Sequence, residues 1–507
     1  MALARTRSVT VLGVDGHLVD LEADLSAGLP GFSLVGLPDE ALSESRDRVR
    51  AAMLNSGLAW PARRITVGLL PASLRKHGSH FDLALALAIG GAAGQVPVGA
   101  LDDVVVLGEL GLDGRVRPVR GVLPAVVAAA RAGVRRVLVP RANAAEAALV
   151  SGVEVRGAAR LADVAAWLRG DPADVVVGRP SGQPARVAGP DLDDLVGQAV
   201  GRRAVEVAAA GGHHLFLSGP PGSGKTMLAE RLPGLLPALD DEAALEVTAI
   251  HSVAGALPEG PPLIRRPPFQ DPHHTASMAA LVGGGTGLAG PGAVSLAHRG
   301  ILFLDEAPEF APRVLDSLRQ PMERGEVVLA RAHGVTRYPA RCQLVLAANP
   351  CPCASASGDQ ACCCPSTVRR RYAARLSGPL LDRVDLQVDL TPVGGAELHA
   401  SDRGESSAVV AERVGAARAA AGERFAGTPW RLNCEVPGRE LRCRWPLPRT
   451  ARELADRLLD RGELSLRGYE RVLRVAWSIA DLAGRGMPDA GDVNEAAYLR
   501  LRHRAVA

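Results

Sequence analysis

Three groups of residues have the types and order to do chemistry. The first is Gly219-Pro220-Pro221-Gly222-Ser223-Gly224-Lys225-Thr226, a G-x-x-x-x-G-K-[ST] loop. An apolar run, Leu215 to Leu217, precedes it, and Leu228, Leu232 and Leu235 follow at helical spacing. The glycines let backbone N–H groups turn onto phosphate oxygens, and a helix start adds partial positive charge. In such a loop Lys225 reaches the β- and γ-phosphates and Thr226 holds Mg²⁺. ATP with Mg²⁺ is therefore the expected ligand. The second group is Ile301-Leu302-Phe303-Leu304-Asp305-Glu306, an apolar strand ending in two acids. Asp305 would complete the Mg²⁺ shell and Glu306 would polarise an attacking water. A further apolar strand, 343–348, ends in Asn349, placed to orient that water against the γ-phosphate. The third group is Cys351-Pro352-Cys353 followed by Cys362-Cys363-Cys364. Cys351, Cys353, Cys362 and Cys364 can give four thiolates to a tetrahedral Zn²⁺; a cluster of reduced thiols is the alternative.

Composition narrows the class. A chain of 507 residues has room for two to four domains. The net charge of +3 does not mark a nucleic-acid binder by itself, and 3% aromatics argue against a broad base-stacking platform. The most apolar window, 83–101, is broken by glycines, Gln95 and Pro97, so no membrane span is expected, and residues 1–13 have no long apolar core or cleavage site, so no secretory signal is expected. The expected location is cytoplasmic. Five of the eight cysteines lie between 351 and 364, which points to metal ligation or redox chemistry. Lysine occurs only at 76 and 225, so the loop lysine stands where arginine's planar fork would not serve.

The elements that must position these residues form an α/β chain. Strand-like runs at 8–12, 64–69, 104–107 and 136–140 alternate with helical patterns at 43–55, 82–91, 122–132 and 144–150. Residues 1–170 make one α/β domain, and Pro/Gly-rich residues 171–191 read as a linker. An ATPase core spans 192–390. A helical lid follows at 391–507, with helices over 405–424, 450–461 and 467–484 and a last helix capped by Asp492 with Glu495. A hairpin over 327–338 carries Arg331, His333 and Arg337. These are candidate phosphate-backbone contacts to DNA, or else a solvated basic hairpin.

Residues 31–38 (GFSLVGLP), 76–83 (KHGSHFDL), 265–298 with the pair His273-His274, and the cysteine block resemble the ComM/YifB family of magnesium-chelatase-like AAA+ ATPases. The resemblance runs over nearly the whole chain, although Ala354 stands where that family usually has Gly. It implies a Lon-protease-like N-terminal domain, a P-loop AAA+ core and a helical lid. A Lon-type protease needs a Ser–Lys dyad, and no second lysine is placed to complete one, so the domain reads as non-proteolytic. Lys76 is left as a polar contact to DNA or a neighbouring subunit, or as a solvated loop lysine.

The resemblance also assigns roles. Gln198 lies where such ATPases line the nucleotide base. Arg383, in Leu380-Leu381-Asp382-Arg383, matches an arginine finger acting on the adjacent subunit; pairing with Asp382 or Asp385 is the alternative. Arg467 matches sensor 2, with Arg471 competing. The His273-His274 block is expected to be a loop touching substrate or the next subunit rather than a metal site. The family implies a hexameric ATP-driven motor on branched or single-stranded DNA, promoting branch migration in recombination or natural transformation. A magnesium-chelatase subunit, or another remodelling ATPase acting on a protein partner, is the competing reading.

Overall fold

The computed structural model describes residues 2–180, 189–257, 263–285, 289–331, 334–353, 362–395 and 404–501. Its first unit is an eight-stranded mixed sheet. The centre is the long hairpin Ala2–Leu12 with Asp15–Ser26, paired in register from Ala2↔Leu25 to Leu12↔Asp15. In the second strand Val19, Leu21, Ala23 and Leu25 are buried while the residues between them are not, the period-two pattern of a one-faced sheet. Helix Asp82–Ala92, made of Ala, Leu, Gly and Ile after its first residue, is buried at every position and packs on this hairpin. The residues read as linker, 171–191, include the strand Val175–Val177, which pairs antiparallel with Glu154–Ala158 and closes the sheet edge. Residues 181–188 lie outside the described residues.

The second sheet has five parallel strands in the order Phe269–Gln270, Ile301–Leu304, Gln343–Ala348, Leu215–Ser218 and Leu386–Asp389. Parallel strands buried on both faces read as unbroken apolar runs, and the three inner ones are buried at every residue. One hydrophobic cluster continues from this sheet into the C-terminal helices Ser407–Arg424, Gly438–Arg444, Arg449–Asp460, Leu466–Leu482 and Ala490–Arg500. The last helix is capped by Asp489, whose carboxylate accepts from Asp492 N at 3.0 Å, while Asp492 accepts from Asp489 N at 2.8 Å. Glu495, expected in that cap, instead pairs with Arg203 at 2.7 Å.

The two units meet along helix Asp241–Ala254. Gly121 N donates to Ser252 O at 3.3 Å, and Ser252 Oγ donates to the buried Glu146. Glu146 also accepts from Leu123 N and Asn143 Nδ2, each at 3.0 Å. The turn residue Gly13 (φ +69°) packs on the hairpin Glu326–Arg331/Gly334–Pro339; a Cβ there would fall 2.3 Å from Arg337 O. Among the described residues no helix is long and apolar enough to cross a membrane.

Candidate functional site

Strand order decides which side chains meet. The strand ending at Ala348 lies between the loop strand and the acidic strand, with Ser218↔Ala348 and Leu304↔Leu346 in register. The loop Gly219–Thr226, Asp305, Glu306 and Asn349 therefore emerge together at the C-terminal ends of three adjacent strands, where ligands bind in open α/β sheets. Gly224 (φ +84°) turns the chain into helix Lys225–Leu235, a left-handed step that favours glycine. Lys225 is buried, and its Nζ donates to Gly219 O (2.7 Å), Pro220 O (2.8 Å) and Asn349 Oδ1 (3.1 Å). Burial lowers its pKa. Thr226 Oγ1 donates to Asp305 Oδ2 at 2.8 Å, and Asp305 Oδ1 accepts from Glu306 N at 2.8 Å.

Pro221 and Gly222 form the turn of the loop, and Ser223 is buried with its hydroxyl unpartnered. Gln198 is buried beside it, its Cγ 4.0 Å from where a Cβ on Gly224 would fall. Among the described residues only four non-glycine residues have positive φ, and two are here, Gln198 (+54°) and Glu306 (+47°). Backbone held in such sparsely populated regions concentrates at functional sites. Glu306 carries one contact that sequence reasoning did not anticipate, His274 Nδ1 at 3.3 Å from Oε2.

The donor set suits a Mg²⁺–triphosphate. An ammonium and the unpaired N–H groups of a helix start suit phosphate oxygens, and the Thr226 hydroxyl beside the Asp305 carboxylate is the hard-oxygen pair Mg²⁺ prefers.

Arg383 and Arg467 lie elsewhere. Both line a cleft of about 760 Å³ with Gly300, Gln343 and Asp385, residues at the N-terminal ends of the strands, and none of residues 219–226 lines it. The loop strand is four residues long, so roughly 13 Å of sheet separates this edge from the loop. Arg383 is paired with Glu323, rather than with Asp382 or Asp385. Arg467 is exposed and has no partner among the described residues. Arg471, its competitor, is bound to the buried Asp385. Burial alone would raise the Asp385 pKa, but the Arg471 guanidinium and the His213 side chain hold it well below the usual carboxylate range. His214 N donates to Asp385 at 3.0 Å and Gln343 Nε2 to His213 O at 2.8 Å, which locks the entry to the loop strand. The only sequence signal for this network was the pair His213-His214 ahead of an apolar strand.

Cys351, Cys353, Cys362 and Cys364 come together, with all four Sγ atoms within 4.8 Å of one another. Cys351 Sγ lies 2.8 Å from Cys353 and 3.2 Å from Cys362. Burial, with the neighbouring thiols, pushes the Cys351 thiol up to about 12. As thiols the four can lie this close unaided; as thiolates they would need a cation between them, and a tetrahedral soft-ligand set suits Zn²⁺. Ala354 lies outside the described residues, as does His333 of the hairpin. Arg331 is exposed, and Arg337 pairs with Glu326 at 3.0 Å.

Lys76 corrects both readings of it. It is wholly buried, so it is neither a DNA or subunit contact nor a solvated lysine. Its Nζ donates to the carbonyls of Gly36 (3.0 Å), Leu69 (2.9 Å) and Pro71. Burial lowers its pKa. Ser79 Oγ donates to Glu109, and His80 Nε2 contacts Val9 O at 2.8 Å, so no Ser–Lys dyad exists among the described residues.

Residues 191–398 match the family described as magnesium chelatase, subunit ChlI, residues 21–143 match subunit ChlI of Mg-chelatase, and residues 404–500 match its C-terminal region. The uncharacterized protein Rv2897c of Mycobacterium tuberculosis is 55% identical over 99% of both chains. The competence protein ComM of Haemophilus influenzae is 42% identical over 96% of this chain and 94% of its own. A Lon protease of Rhizobium meliloti is 27% identical over 37% of this chain and 24% of its own. The chain belongs to the ComM/YifB family of magnesium-chelatase-like AAA+ ATPases, with a Lon-protease-like N-terminal domain.

Proposed function

We propose that this ATPase is a ring motor, a hexamer, that moves along branched or single-stranded DNA and drives branch migration in recombination or natural transformation. The observation that carries the reading is the separation of the two halves of the site. Lys225, Thr226, Asp305, Glu306 and Asn349 gather at one edge of the sheet, while Arg383 and Arg467 line the cleft at the opposite edge. Arginines that complete a nucleotide site from there must complete a neighbour's, and head-to-tail contacts of that kind close into rings.

Within each composite site the roles follow from position. Bound Mg²⁺–ATP supplies the phosphoanhydride bond and neutralises charge on its oxygens. Lys225 and the loop amides hold the phosphates, while Thr226 and Asp305 hold the metal. Gln198 lies against the loop near the base. Asn349 and Glu306 orient and polarise water, and Arg383 and Arg467 meet the developing charge from the next subunit. DNA as the polymer is supported by the relative named competence protein ComM and by exposed Arg331 beside the hairpin tip. A four-way-junction oligonucleotide is expected to raise ATP turnover and to bind more weakly as salt rises. Absence of both effects would remove DNA from the reading. The chelatase and protein-remodelling alternatives would then take precedence.

The cysteine cluster belongs to the same design. Cys351 follows Asn349 by two residues, so a Zn²⁺ held by Cys351, Cys353, Cys362 and Cys364 would fix the backbone that aims Asn349. Purified protein is expected to carry one Zn²⁺ per chain, and Cys353→Ser to lose it along with part of its ATPase activity. Equal, near-zero zinc in both proteins would exclude the site.

A further inference from the structure

Residues 383–386, which carry Arg383 into the last strand of the sheet, are held from two sides. From the sheet, His214 N donates to the Asp385 carboxylate at 3.0 Å, and Asp385 N and Leu386 N donate to His214 O, each at 3.1 Å. From the lid, Arg471 of helix Leu466–Leu482 pairs with Asp385. Arg500 of the last helix donates to Val384 O at 2.7 Å and to Asp385 O at 3.2 Å. The Asp385 side chain is 2% exposed and that of Arg471 15%. Arg467 lies one turn before Arg471 on the same helix face, about 6 Å along the axis. Asp385 follows Arg383 by two residues, at most about 7 Å of chain. One buried ion pair thus stands between the two arginines that line the cleft at this edge. Their other ties are weak by comparison. Glu323, the partner of Arg383, is 56% exposed, and Arg467 has no partner among the described residues.

We propose that Asp385 is a positioning residue that locks Arg383 and Arg467 into one rigid pair, so that both enter the neighbouring subunit's nucleotide site together. The inference rests on the reading that these arginines complete a neighbour's site. Separating a buried ion pair strands a charge away from water, so the Asp385–Arg471 contact keeps the lid helix and residues 383–386 in one arrangement. A lid that shifts must carry Arg383 with it. The competing role for Asp385 lies on its sheet side. Through His214 it would serve its own chain's loop strand, Leu215–Ser218, and hence Lys225.

The test reads which half of the shared site fails. Asp385→Asn is expected to lower kcat about 10²-fold, the cost of misplacing a catalytic group by about 1 Å, with KM for ATP unchanged. Asp385→Leu/Arg471→Met replaces the pair by apolar side chains and strands no charge, so it carries the same test if the single variant does not fold. Mixtures then assign the defect. Mixed with Lys225→Ala, whose arginines are intact, either variant should turn over ATP faster than both components alone, because its own loop is whole. Mixed with Arg383→Ala, whose loop is intact, it should regain nothing, because neither chain offers a well-placed Arg383. Rescue by Arg383→Ala overturns the proposal and assigns Asp385 to the loop strand of its own chain. An unchanged kcat, or a loss that neither partner rescues, overturns it as well. The control is Lys225→Ala mixed with Arg383→Ala. If that mixture stays inactive, the shared-site reading fails and the proposal falls with it. If it is active, the other outcomes bear on Asp385 alone.

Discussion

Arg383→Ala should slow ATP turnover by about three to five orders of magnitude, the range spanned by arginines that complete a phosphoryl-transfer site. ATP binding should be nearly unaffected, because Lys225, Thr226 and Asp305 are untouched at the other edge of the sheet. The informative measurement is a mixture. Subunits carrying Arg383→Ala keep an intact loop, and subunits carrying Lys225→Ala keep an intact arginine. Where the first presents its loop to the second's arginine, the shared site is whole. A mixed sample should therefore turn over ATP faster than either variant alone. If Arg383 acted within its own chain, no chain in the mixture would hold both groups and no rescue would appear. Glu323, the present partner of Arg383, is more than half exposed, but Arg383 is largely buried and also donates to Pro379 O, so it must leave both contacts to reach a nucleotide.

The second large effect is at Glu306. Glu306→Gln keeps the size of the side chain and its hydrogen-bonding reach but removes the charge that polarises water. Turnover should fall by about 10²–10⁴-fold, the usual worth of a positioned general base, or roughly 3–5 kcal/mol of barrier. ATP affinity should hold, since Glu306 donates only a backbone N–H to Asp305 and touches neither Lys225 nor Thr226. Binding measured with a fluorescent ATP analogue, beside steady-state turnover, separates the two quantities. Equal losses in both would mean that the substitution had disturbed the loop instead.

The legible parts of the chain are those where a local pattern decides the structure. The apolar runs 215–217, 301–304 and 343–348 read as strands and are buried parallel strands, leading into the loop, Asp305 and Asn349. The strand Asp15–Ser26 is harder to read: Val19, Leu21, Ala23 and Leu25 alternate with period two, but Asp20, Glu22 and Asp24 stand between them. On a one-faced sheet those acids simply point outward, and Asp20 meets Arg5 and Arg7 on the next strand. Val175–Val177 lies within the Pro/Gly-rich 171–191, and three residues are too few to show a period; its pairing with Glu154–Ala158 makes it a strand.

Contacts between distant segments had no signature in the sequence. Asp385 with Arg471, Arg383 with Glu323, and His274 with Glu306 each join residues that only the tertiary fold brings together. Lys76 illustrates the limit of reading by residue type. Its rarity marked it as special, but rarity could not say whether the ammonium faced a partner molecule or three carbonyls of its own domain.

Both lysines of this chain are enclosed, Lys76 fully and Lys225 almost so, each with its ammonium spent on backbone carbonyls. The exterior is consequently bare of side-chain primary amines. Amine-directed cross-linkers, biotin esters and amine-coupled sensor surfaces will find little on this protein to react with beyond a chain terminus. Subunit counting by chemical fixation should instead use carboxylate, guanidinium or thiol chemistry. A negative result from a succinimidyl ester would say nothing about whether the ring had formed.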